Sequence, residues 1–144
     1  MKFTNTITIV RAPADVFAYL AHFENIPRWN YAIAETRKVT AGPVGVGTSY
    51  RQVRTVPSRS EESFEVVEFE PDHRLAIRGR IGPLSGDIAY QLADSGPATL
   101  LTNTCDLSAA GPVSLLAPLA TRQVRSAVAA NLDVLKQILE TQHG

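Results

Sequence analysis

The sequence predicts an α+β fold: a curved seven-stranded antiparallel sheet wrapped around one long C-terminal helix, with two short helices between strands one and two. Three observations carry that expectation. The alternating run ending Ile7-Thr8-Ile9-Val10 feeds through Arg11-Ala12-Pro13 directly into an amphipathic helix. From Ala32 to Ala109 the patterning is that of strands broken only by turns. One long helical pattern then ends the chain. A sheet with one apolar face must bury it, and here the terminal helix is the element available to cover it.

Each element has a local reason. Strand one runs from about Phe3 to Val10, with Phe3, Asn5, Ile7 and Ile9 on its core face by the period of two. Asn5 is the polar residue on that face. Pro13 suits the first turn of a helix, where a missing N–H costs nothing, and Asp15 favours the positive end of its dipole. Val16, Leu20 and Phe23 then form a buried stripe. Asn25 is placed to cap a second short helix, with Pro27 in its first turn and Trp29, the only tryptophan, on it. Strands two to seven are expected at about Ala32–Thr40, Thr48–Val56, Arg59–Glu70, Leu75–Ile81, Ser85–Ala93 and Ala98–Ala109. The turns between them contain Gly42-Pro43, Pro57-Ser58, Pro71-Asp72 and Asp94-Ser95-Gly96-Pro97. Such short connections make antiparallel neighbours. Pro112 can open the last helix, and Pro118 predicts a kink or a late start near Ala117. Beyond it Val124, Val128, Asn131, Leu135 and Ile138 share helical spacing.

Composition narrows the function. The 144 residues are expected to form a single domain, residues 1–144, large enough for a core. Fourteen basic residues balance fourteen acidic ones, so no long-range field recruits nucleic acid or an anionic membrane. No apolar window reaches the length of a membrane span, so no integral membrane contact is expected. The first residues are polar where a signal peptide needs an apolar block, which makes a cytoplasmic location the expectation. Cys105 is the only cysteine, and His22, His73 and His143 are scattered. Neither a metal site nor a cofactor site is expected from that spacing. The Gly42, Gly45 and Gly47 run is followed by a strand, not the helix that a phosphate cradle requires, and reads as a hairpin turn. Glu61, Glu62, Arg78 and Arg80 read as a solvated convex face, with acidic neighbours such as Glu65 for the arginines.

The informative residues are polar ones on apolar faces. Strand six offers Ile88, Tyr90 and Leu92 to the interior, and strand seven Leu101, Asn103, Cys105 and Leu107. If Tyr50 points inward on strand three, Gln52 and Arg54 follow it. An apolar pocket carrying Tyr50, Gln52, Arg54, Tyr90, Asn103 and Asn5 has the make-up of a small-molecule site. An inward Arg54 needs an anionic ligand, a nearby acid, or a rim position with its head in water. Trp29 and the apolar stretch Val113–Leu119 either close one end of the cavity, pack the short helices on the sheet, or form the face of a homodimer.

The chain resembles the START-like, or SRPBCC, superfamily with its helix-grip fold, which includes the birch-pollen-allergen-like carriers. Within it the chain is similar to the bacterial polyketide cyclase/dehydrase group. The resemblance rests on Ile9-Val10-Arg11-Ala12-Pro13-Ala14-Asp15-Val16-Phe17, Glu24-Asn25-Ile26-Pro27-Arg28-Trp29, Gly45-Val46-Gly47-Thr48, Glu68-Phe69-Glu70-Pro71 and Leu132-Asp133-Val134-Leu135-Lys136. It implies an enclosed cavity for a small hydrophobic molecule, such as a polyketide, lipid or isoprenoid. The alternatives are an aromatase/cyclase or dehydratase that uses polar cavity residues, and an interaction or stress-response module with a vestigial cavity. Against catalysis, no histidine or carboxylate is expected on an inward face to act as general base.

Overall fold

The computed structural model describes residues 1–108 and 117–142. Seven strands, β1 (Lys2–Ile9), β2 (Ile33–Lys38), β3 (Ser49–Arg54), β4 (Ser60–Glu70), β5 (Arg74–Ile81), β6 (Leu84–Ser95) and β7 (Ala98–Ser108), form one antiparallel sheet. Its order is β1-β7-β6-β5-β4-β3-β2, an uninterrupted meander with the first strand paired to the last. Between β1 and β2 lie α1 (Pro13–Ala21), a 3-10 turn (Phe23–Asn25) and α2 (Ile26–Trp29). The long helix α3 spans Ala117–Thr141. This is the helix-grip arrangement.

The local chemistry of the entry helix is as expected: Pro13 occupies its first turn, Asp15 follows, and Val16, Phe17 and Leu20 are buried. Asn25 differs from expectation. It belongs to the 3-10 turn and makes no side-chain cap; its Nδ2 donates instead to the Tyr19 carbonyl at 3.2 Å.

Gly79 of β5 faces Gly86 of β6, where the strands come close to their neighbours. A Cβ on Gly79 would stand 2.6 Å from that of Phe64, and one on Gly86 would stand 2.1 Å from the Asp106 carbonyl oxygen. Gly86 also has φ +151°, which side chains rarely adopt. Only glycine lets the neighbouring strands approach this closely. The β4–β5 register shifts between Val66 and Glu68, the kind of irregularity that bends a strand.

α3 is locked to the first strand at its far end. Arg11 donates from Nη1 to the carbonyls of Leu139 (2.8 Å) and Gln142 (3.1 Å), which puts a cation on the orphan acceptors of the helix C-terminus. The Val10 N–H donates to Glu140 at 2.8 Å, and Lys136 bonds both Glu140 and the Thr8 carbonyl. Leu132, Leu135 and Leu139 then sink into a core built with Ile9, Val16, Phe17, Leu20 and Leu75. A fully buried leucine contributes about 1.5–3 kcal/mol of apolar transfer.

Candidate ligand cavity

The interior is not filled along its whole length. A cavity of about 420 Å³ lies between the sheet and the N-terminal half of the described α3. Its walls come from α2 (Ile26, Trp29), from β3 to β7 (among them Phe64, Ile77, Ile88, Tyr90 and Leu107), and from the turn joining β5 to β6. Val124, Ala127, Val128 and Asn131 complete it from α3, at the spacing that puts four residues on one helical face.

The register explains which residues meet. Tyr90 of β6 pairs with Asn103 of β7, and Asn103 with Asn5 of β1, a row on the inner face of the sheet. Trp29 stands edge-on to Tyr90, with centroids 6.5 Å apart. Burial, and secondarily Cys105, raises the Tyr90 phenol above its ordinary 10.0, so the hydroxyl stays a donor. Cys105 also lines the cavity; burial pushes its thiol up to about 12. It donates to Asn103 Oδ1 at 3.5 Å; burial outweighs the opposite effect of that bond and keeps the thiol neutral, a poor nucleophile. Asn103 Nδ2 in turn donates to the Ala89 carbonyl at 3.3 Å.

Of the residues expected at the site, Trp29, Gln52, Arg54, Tyr90 and Asn103 line the cavity. Tyr50 does not. It points inward as its parity requires, but it packs against Phe23 and stacks on Phe64, centroids 5.1 Å apart and 12° from parallel. Burial and the nearby Glu24 raise its phenol to about 12. Asn5 also stays outside, its Nδ2 donating to the Arg125 carbonyl of α3 at 3.3 Å. The stretch Val113–Leu119 lies outside the residues whose side chains are described.

The larger correction concerns Glu62, expected on the convex face. It is buried, its side chain only 2% exposed, directly across from Gln52 in the β3–β4 register. Arg54 donates to it from Nε (3.1 Å to Oε2) and Nη2 (3.0 Å to Oε1). Gln52 Nε2 donates to Oε1 at 2.7 Å, and the Gly82 N–H to Oε2 at 2.9 Å. Thr36 Oγ1 steadies Gln52 from the far side, at 3.4 Å from its Oε1. An inward carboxylate therefore exists, contrary to expectation, but four donor groups occupy its oxygens. It cannot also serve as a free general base. The signal is present in the sequence: counting in twos from Val66 through Phe64 reaches Glu62. Arg78, on the outer face, stands opposite Glu65 in the register, yet its ion pair is with Asp87, at 2.7 Å.

Asn131 was not among the expected site residues, although its helical spacing was plain. It is buried in the cavity wall. Neither its amide nor the Tyr90 hydroxyl has a hydrogen-bond partner among the described residues. Among those residues there is also no group of three or more potential metal ligands, and no helix long and apolar enough to cross a membrane.

A sheet gripping one helix over an apolar chamber defines the START-like class. The family described as polyketide cyclase / dehydrase and lipid transport matches residues 1–140, and the chain belongs to it. Solved structures share the fold at low identity. A START superfamily protein from Mycobacterium smegmatis has a TM-score of 0.84 at 15% identity, covering 96% of this chain and 97% of that one. TTHA0849 from Thermus thermophilus gives 0.81 at 16% identity, covering 96% and 97%. The Zhui aromatase/cyclase from Streptomyces sp. R1128 gives 0.76 at 13% identity, covering 97% and 93%. A comparison with curated protein sequences gives no match.

Proposed function

We propose that this protein binds a neutral, mainly apolar small molecule bearing a carbonyl or hydroxyl group. One observation carries the reading: the apolar cavity presents two buried polar side chains that make no hydrogen bond to the described residues, Tyr90 and Asn131, while its buried charge, Arg54, is already paired. The volume falls in the range of small-molecule sites, roughly 300–1,000 Å³, and argues against a vestigial cavity. Apolar walls supply affinity, and the phenol and amide fix orientation. A carboxylate ligand would bring an uncompensated charge into this space. Arg80 also borders the cavity but is exposed, where water screens it.

A catalytic reading, an aromatase/cyclase or dehydratase acting on a polyketide-like chain, draws on the Tyr90 hydroxyl, which could polarise a substrate carbonyl. It lacks a base. Glu62 is occupied, Cys105 is held protonated, and no histidine lines the cavity among the described residues.

Native mass spectrometry of protein purified from a cell extract tests the binding reading. The expected result is a stoichiometric adduct that denaturation releases as an uncharged organic molecule. Protein that emerges empty, and that takes up no neutral hydrophobic probe, would contradict it.

A further inference from the structure

We infer that Glu62 sets the charge preference of the cavity: by cancelling Arg54 in the wall it reserves the site for neutral ligands, and without it the same wall selects an organic anion. This rests on the binding function proposed above.

The geometry separates the two charges. Arg54 lines the cavity, whereas Glu62 does not. An incoming ligand therefore meets the Arg54 side chain and not the carboxylate that balances it. Arg54 commits Nε and Nη2 to Glu62, and its Nη1 has no partner among the described residues. The wall thus carries a donor whose charge is already balanced. The balance is held firmly: Gln52, itself held by Thr36, and the backbone of Gly82 fix the carboxylate from two further directions. The Gly82 bond also seats the β5–β6 turn, whose Gly82 and Pro83 form part of the wall beside Ile81 of β5. Glu62→Gln conserves size and an acceptor oxygen but removes one negative charge. Arg54 then stands beside an apolar chamber with no counterion, and a sulfonate or carboxylate entering that chamber supplies one by a charge-assisted hydrogen bond.

The test uses two fluorescent probes that share one aromatic skeleton and differ by a sulfonate: phenylnaphthylamine, which is neutral, and anilinonaphthalene sulfonate. The wild-type protein is expected to favour the neutral probe. Glu62→Gln is expected to shift the ratio of the two dissociation constants towards the sulfonate by about tenfold or more. Arg54→Gln is expected to shift it the other way, and the double variant to return it to the wild-type value. If Glu62→Gln does not fold, the step from Arg54→Gln to the double variant measures the same charge. Probes that bind with an unchanged ratio in the folded variants would overturn the role of Glu62 alone. Binding of neither probe to the wild type would overturn the binding function and this inference with it.

Discussion

Helix α3 lies over two different interiors. Its C-terminal half drives Leu132, Leu135 and Leu139 into a solid core, each at most 1% exposed. The turns before it present Val124, Ala127 and Val128 to a hollow and leave them only partly buried. The same contrast divides β3, where Tyr50 packs between the rings of Phe23 and Phe64 and Arg54, four residues on, forms cavity wall. Burial alone therefore does not identify a ligand contact in this fold. What separates the two ends is whether a polar group has found a protein partner and whether space remains beside it.

Breaking the comparison at its charges gives the largest expected effect. Glu62→Ala leaves Arg54 buried without a counterion and should cost about 3–5 kcal/mol in denaturant unfolding. Asp87→Asn, which removes an ion pair of similar geometry from the exposed outer face, should leave the midpoint unchanged within error. Truncation probes the packing next. Leu135→Ala should cost about 2–5 kcal/mol because the solid end cannot collapse around the void. Val128→Ala only enlarges a space that already exists, and should cost less than half as much in the same measurement.

The tyrosines sharpen the contrast. Tyr90→Phe should weaken a carbonyl-bearing probe by about threefold to tenfold, the worth of one neutral hydrogen bond, with little change in stability. Tyr50→Phe should leave that affinity unchanged in the same titration. Equal losses from both would place the ligand elsewhere.

The smallest effect is a pH dependence at Cys105. Its folded value, about 12, lies above the ordinary 9.0, chiefly through burial. The folded state keeps a proton that the unfolded chain loses. The associated stability is therefore complete below about pH 9 and declines as pH rises towards about 12. Iodoacetamide should accordingly leave native protein unmodified up to about pH 10, and alkylate it readily in denaturant. Fast native alkylation near neutral pH would contradict the burial.

Much of this is legible in the sequence, for identifiable reasons. Period-two alternation locates the strands and turns Tyr50, Gln52, Arg54, Tyr90 and Asn103 inward, and the Ala-Pro step marks α1. Alternation reports which way a side chain points, but not what meets it there. It does not show that Phe23 and Phe64 fill the space around Tyr50, or that Arg125 of α3 offers its carbonyl to Asn5. Glu62 escapes a sequence reading for a different reason: its charge argues for exposure, whereas Phe64 and Val66 set its parity. The pairing that makes its burial tolerable is a cross-strand contact, visible only once β3 and β4 are in register. Asn131 has the right spacing, but the helix pattern alone does not reveal that its amide borders a hollow.

An NMR titration of isotopically labelled protein with phenylnaphthylamine examines the central claim most directly. Saturable one-to-one binding is expected, with the largest shifts at the Trp29 indole and at Tyr90, Asn103 and Asn131, and little change at Leu135 and Leu139. Shifts confined to exposed residues such as Val46 and Leu100, or no saturable binding, would contradict an interior site.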